Sequence, residues 1–552
     1  MARWLSVSLA ERFINWWSDR LHVKDVPLAR IPDYMYSVNY WLGSMVAAAL
    51  IYEVISGLFL ILYYTPSNPY TQTEFIITKV PYGSLLLSTH LYGAYIMIFL
   101  AYVHMFRNYF VKAYKNPREL QWMVGVILLT LTQGAAFLGY SMTGDILAAD
   151  AVDVGRGVLE QAPFGKTLEA LVFGNGTSLD LFTRLLGYHI ILVALIGLLF
   201  GYHFYLAEMN GFMPHPKKVG YRAPAKLDEK DPSLNPWYPR NLLYMLELGF
   251  FTFAAILIVP SVISLLHNVP ILFSPYPSVS PTSPQATTIP AYPPWFFLFM
   301  YKVLDFRPLS PIQVAVVAAL IPIIYFLLVP VLDRSKDLHF FSGWVYQAIG
   351  VIAIINFIQA SVWGAIAPGI PVDPNVYIPV IVEPVIIVFV GFYLLSRRAH
   401  TLANANVRSV GRVAAIGLIA LASGVFLEAL YSLQTLTLHP SFTYIPPAIT
   451  GLLSTGLLGA VLIGVDRATP TTPPSGVGTP RKTTTTTKRL GAAYALLTVL
   501  LITAIALAAV TWRFNPLTQA AFFGIGLGAL LLVFGEMISI YHYVVYTPPK
   551  NR

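Results

Sequence analysis

The sequence predicts an all-α, polytopic membrane protein of about twelve transmembrane helices, four of which form one bundle. Three observations carry this. Of the 552 residues, 56% are hydrophobic and only 11% charged, a balance expected of a chain that lives in lipid. The apolar residues gather in runs of about 20, the length that crosses a bilayer at about 1.5 Å per residue. Two of these runs carry matched histidines, His90 with His104 and His189 with His203, each pair fourteen positions apart. At about 100° per residue, that step puts both members within about 40° of one face and roughly 21 Å apart along the helix. A single metal centre needs ligands that converge; these are spread over two levels. Parallel helices bring His90 level with His189 and His104 level with His203, giving two bis-histidine sites of the kind that hold stacked haems. The bundle is therefore read as a four-helix di-haem bundle.

The absence of cysteine excludes covalent c-type haem attachment, cysteine-ligated iron–sulfur clusters and disulfides in this chain. Any such cluster belongs to a partner. The net charge of +9 does not indicate nucleic acid, because Lys and Arg punctuate the apolar runs instead of forming a basic domain.

Taken in order, residues 1–30 open with an amphipathic segment (3–21) that sets Trp4, Leu5, Leu9, Phe13, Trp16 and Trp17 among charges, as on a helix lying at the inner membrane surface. Spans follow near 41–64, 84–110, 120–141, 183–207, 241–266, 311–331, 341–364, 378–397, 410–432, 444–466, 490–511 and 518–545. An even number places both termini on one side. With that side cytoplasmic, all of the 35 Lys and Arg residues fall inside except Lys79, Arg156, Lys166, Arg184, Lys302, Arg307 and Arg513. The bias sets a multi-pass plasma-membrane orientation. It also makes the two histidine helices run the same way. Residues 31–215 form the di-haem unit, 216–400 a second unit and 401–552 an extension of no assigned role. Long outer connections at 142–182 and 267–310 are candidates for function, and 468–489 reads as a flexible inner linker.

Glycine repeats the histidine pitch. Gly43 and Gly57 lie in the first span and Gly125 and Gly139 in the third, again fourteen apart. Glycine at that spacing lets a flat macrocycle approach the backbone at both levels.

These pairs, with SGLFLILYYTP (56–66), HMFRNYF (104–110), LTQGAAFLGY (131–140), LFTRLLGYH (181–189) and IPAYPPWFFLFMY (289–301), resemble cytochrome b of the cytochrome bc quinol-oxidising complexes over about residues 30 to 400. The resemblance implies b-type haems, with a modified a-type as the alternative. His90 and His189 would ligate the outer haem iron and His104 and His203 the inner. Arg107 would neutralise an inner-haem propionate. Leu87 stands where the family carries the arginine for the outer one. At the outer quinol site the family's Pro-Glu-Trp-Tyr becomes Pro293-Pro294-Trp295-Phe296. Pro294 cannot accept a proton, so Trp295, Phe296 and Tyr301 remain as the site's residues, with Asp145, Asp150 and Asp153 as nearby acids. At the inner quinone site the family uses a histidine just beyond the fourth ligand and an acid at the start of span five; this chain has Glu208, then Arg240 and Asn241 before span five, a carboxylate with an amide or guanidinium for a quinone. Glu208 can donate a proton. Glu53, Glu247, Glu383, Glu428 and Glu536 also lie in apolar runs, without an assigned role.

The resemblance implies a subunit of a quinol:cytochrome c reductase-like or quinol oxidase complex. Quinol would be oxidised at the outer site. One electron would go to a Rieske-type iron–sulfur partner, and the other would cross the membrane through the haems. Further partners would be cytochrome c-like or haem–copper oxidase subunits, in a homodimer or larger assembly. The departures at Leu87 and Pro294 and the extension fit a divergent prokaryotic branch, archaeal quinol oxidase assemblies included. Alternatives are a twelve-span secondary transporter, which predicts repeat symmetry and no haem, and the haem-bearing membrane anchor of a dehydrogenase.

Overall fold

The computed structural model describes residues 29–402, apart from 175, 229, 230 and 232, together with 445, 449 and 487–546. Its regular structure is helical; among the described residues β structure is limited to isolated bridges. Ten helices there are long and apolar enough to cross a membrane. The predicted span 410–432, all of 444–466 but residues 445 and 449, the amphipathic segment 3–21 and most of the linker 468–489 lie outside the described residues. The expected twelve spans are thus ten among those described.

In chain order the helices are α1 (Val38–Leu60), α2 (Pro69–Lys79), α3 (Gly83–Phe110), α4 (Glu119–Ser141), α5 (Ile146–Glu160), α6 (Gly165–Phe173), α7 (Ser178–Asn210) and α8 (Leu242–Ser264). There follow α9 (Leu298–Leu304), α10 (Pro311–Leu332), α11 (Trp344–Ile366), α12 (Pro374–Leu402), α13 (Thr487–Thr511) and α14 (Ala520–Tyr546). Helix α13 begins at Thr487, inside the stretch read as linker. Helix α2 is an element that hydropathy did not predict, because eleven mixed residues give no spanning signal.

The histidine helix α3 packs on the glycine helix α1, and α7 packs on α4. Helix α8 covers α1 and α3, and α14 lies along α8. Apolar side chains such as Leu58, Ile191 and Leu198 remain exposed on faces suited to lipid. The long loop 142–182 folds into α5 and α6. Asp145 caps α5 by accepting from Ala148 N (2.9 Å), and its second carboxylate oxygen accepts from Ser278 N (2.6 Å). This one side chain therefore ties the two long loops, 142–182 and 267–310, together, satisfying backbone donors that would otherwise be buried and unpaired.

Candidate functional site

Each predicted glycine faces a predicted histidine. A Cβ on Gly43 would lie 3.1 Å from His104 Cε1, and one on Gly57 would lie 3.3 Å from His90 Cε1. On the other helix pair the distances are 3.1 Å from Gly125 to His203 and 3.0 Å from Gly139 to His189. Four separate residues thus meet their partners at the two levels the fourteen-residue pitch implies. Across the bundle, His90 and His189 face the same cavity.

The outer pair opens onto a cavity of about 330 Å³, lined by both imidazoles and by Gly57, Leu87 and Gly139. His189 Nδ1 is 2.8 Å from the Ala135 carbonyl oxygen. A carbonyl can only accept, so Nδ1 carries the proton and the Nε2 lone pair is left for a metal. His90 Nδ1 lies 2.8 Å from Ser56 Oγ and 3.1 Å from Glu53 Oε2. Ser56 directs its own proton to the Tyr52 or Glu53 carbonyl, so both of its imidazole-facing partners can accept. Glu53 is buried, and its other carboxyl oxygen packs against Gly93, where a Cβ would collide with it. The sequence showed Glu53 as an acid in a span but not its hold on His90, which depends on an inter-helix contact.

At the inner level Arg107 donates to Asn39 Oδ1 (3.2 Å) and Asn108 Oδ1 (2.9 Å), and its guanidinium lies 4.7 Å from the Tyr40 ring centroid. Among the described residues no carboxylate pairs with it. A guanidinium beside a histidine pair with only neutral protein partners has unspent capacity for an anion. The glycine clefts, the oriented imidazoles and this cation all fit haem, whose propionates are anionic.

The same cavity continues to Pro294, Phe296, Tyr292 and Leu272. Phe296 is buried against Tyr95 and Trp295, with centroids 5.9 and 5.5 Å apart. Trp295 and Tyr301 lie outside the cavity lining. Trp295 packs edge-on against Phe99 and Phe357. Burial raises the Tyr301 hydroxyl above its ordinary range, and Asp150 raises it further. Asp150 is itself raised by burial, then by Asp153 and Asp145. Asp145 is raised by burial but held against that by the Ser278 and Ala148 amides.

Glu208 Oε2 accepts from Ala29 N (2.8 Å), and Asn241 Nδ2 donates to Ala29 O (3.4 Å). Tyr36 Oη donates to Asn241 Oδ1 at 2.5 Å. The segment before α1 thus bridges two residues that the sequence paired only by resemblance. Asp33 and Tyr36, which the sequence did not single out, belong to this cluster.

A helical membrane bundle with two histidine pairs set against glycine clefts at two depths defines a class of haem-binding membrane electron carriers. Comparison with known proteins places the chain within it. The family model for cytochrome b (N-terminal)/b6/petB matches residues 95–281, and that for cytochrome b (C-terminal)/b6/petD matches residues 281–389. Cytochrome b of Sulfolobus acidocaldarius is 36% identical over 550 residues, covering 96% of this chain and 97% of the relative. The cytochrome bc complex cytochrome b subunit of Chlorobaculum thiosulfatiphilum is 27% identical over 334 residues, 58% of this chain and 74% of that one. A solved structure titled "Hyperthermophilic respiratory Complex III" shares the fold, with a TM-score of 0.53, 22% identity, and coverage of 69% of this chain and 97% of that one. The chain belongs to the cytochrome b family, whose members are haem-bearing electron-transport proteins of membranes.

Proposed function

We propose that this chain oxidises quinol in the outer cavity and delivers electrons across the membrane through two bis-histidine haems, as a subunit of a bc-type or quinol oxidase complex. The observation that carries the proposal is the shared cavity, in which His90 and His189 line the same space as Pro294 and Phe296. A quinol ring between the aromatic loop and the outer histidine pair would meet no other protein layer on the way. The haems, when bound, supply one-electron carriers at two depths. His90 and His189 would hold the outer group, His104 and His203 the inner one. Gly43, Gly57, Gly125 and Gly139 leave the room, and Arg107 offers its charge to the inner propionate. The second electron needs an acceptor outside this chain, for which a Rieske-type partner is proposed because the sequence has no cysteine.

Proton release at the outer site falls to side chains other than Pro294. Asp150 suits the role: its raised pKa makes it a better acceptor than an ordinary carboxylate, and it lies in electrostatic contact with Tyr301. Asp145 is engaged by backbone amides at both oxygens and serves as a cap. On the inner side, Glu208 and Asn241 would bind and protonate a quinone.

Ile271 lines the outer end of the cavity and is remote in sequence from every haem-binding residue. Ile271→Trp is expected to leave the haem spectrum intact and to slow quinol oxidation by the purified complex by at least about tenfold, a loss of about 1.4 kcal/mol in transition-state binding. Unchanged turnover with the haems in place would show that quinol does not react in this cavity.

A further inference from the structure

The C-terminal span reaches the inner site. Gly524, Gly528 and Gly535 of α14 are buried against α8. A Cβ on Gly528 would lie 3.2 Å from the Ala254 carbonyl oxygen, and one on Gly535 would lie 2.7 Å from Phe251 Cε1. Glycine at these positions lets the two helices approach closely. The approach sets His542, near the inner end of α14, against Arg240, two residues before the start of α8, with Arg240 Nε 3.0 Å from His542 Nε2.

Arg240 is buried and adjoins Asn241 in the inner cluster. Its guanidinium donates to Asp33 and lies 3.8 Å from the Tyr36 ring centroid and 4.9 Å from that of Tyr546. The same Tyr36 donates to Asn241. Arginine has only N–H donors, so His542 Nε2 must accept, and the imidazole proton sits on Nδ1. His542 also packs on Tyr36 and Tyr244, with centroids 5.2 and 5.5 Å apart. The guanidinium is thereby fixed between Asp33, from the segment before α1, and His542, from the last span.

We infer that His542 is a positioning residue of the inner quinone site, and that the last span of the extension is a working part of that site. His542 accepts from Arg240 and fixes it over Tyr36, and Tyr36 in turn fixes the Asn241 amide. The inference rests on the proposal that Glu208 and Asn241 bind quinone. It gives the final span a role that residues 401–552 lacked in the sequence.

The test uses the full complex carrying Ile271→Trp, which slows turnover at the outer site, with the same background in every variant compared. The haems are reduced chemically, and their reoxidation is followed over a range of short-chain quinone concentrations. His542→Phe keeps the ring volume and removes the acceptor. It is expected to raise the apparent KM for quinone about tenfold, with less effect on the maximal rate and none on the haem spectrum. His542→Gln supplies an oxygen that can accept from Arg240 and is expected to restore KM to within about twofold of the parent. A packing role alone would be met by Phe and not by Gln. Normal KM in His542→Phe, or a raised KM in His542→Gln, overturns the inference. Asn241→Ala separates the two layers: if it impairs reoxidation while His542→Phe does not, only the role of His542 falls. If Asn241→Ala also has no effect, the inner site itself falls, and the inference with it. Should Phe disturb α14, the Gln variant still decides, because normal KM there is required.

Discussion

His90→Ala is expected to cost the protein about half of its haem and to leave the inner site loaded. His189, the other ligand proposed at that level, stays held at Nδ1 by Ala135, but one imidazole alone does not make a bis-histidine site. Helix α3 itself should persist, since His90 contributes no cap and its helix packs on α1 and α8 through many apolar side chains. The inner pair, His104 with His203, lies about four turns away and shares no partner with His90, so the two levels should behave independently. The measurement is haem content per chain alongside the reduced-minus-oxidised spectrum of the purified protein. Quinol-driven reduction of the surviving haem should fall by on the order of a hundredfold or more, because the outer carrier is missing from the path. Full haem content in this variant would remove His90 from the ligand set.

Gly139→Val is expected to produce the same loss without touching a ligand. A single Cβ there already lies 3.0 Å from His189 Cε1 and 3.3 Å from His189 Nδ1. Two further methyl groups would force the imidazole to turn, breaking its bond to Ala135 and moving Nε2 off the site. Overpacking of this kind costs about 1–3 kcal/mol, which the rest of the bundle can absorb. The haem position cannot, because ligation depends on where Nε2 points. Gly139→Ala should be intermediate, retaining haem with a shifted spectrum. Gly125→Val should spare the outer haem and remove the inner one, since Gly125 faces His203. If Gly139→Val bound both haems normally, the glycines would be ordinary packing residues.

The periodic features were legible in the sequence. Fourteen-residue spacing is a helical quantity, so the four histidines and four glycines could be placed on faces and levels before any tertiary contact was known, and the structure sets each glycine against a histidine. Hydropathy gave the ten described spans to within a few residues because the signal is local. Contacts between distant segments were not legible. The Glu53 contact with His90 depends on how α1 rotates against α3, and α2 is too short and mixed to register as a span. His542 is one histidine in the last span, with no partner at helical spacing to mark it. Its meeting with Arg240 is set by the glycine contacts of α14 on α8. The outer aromatic loop was legible in part. Phe296 lines the cavity, whereas Trp295 does not, because a turn of three residues at 295–297 sends successive side chains in different directions; Tyr301, in α9, is outside the lining as well.

The central claim is that this one chain holds two haems at two depths, each on its own histidine pair. Potentiometric titration of the purified protein, read in its reduced-minus-oxidised spectrum, tests it most directly. Two separable one-electron steps are expected, each spanning about 59 mV per tenfold change in the ratio of oxidised to reduced haem. His90→Ala should delete one step, His203→Ala the other, and the double variant both. A haem signal that survives the double variant, or a single step in the unaltered protein at one haem per chain, would contradict the account.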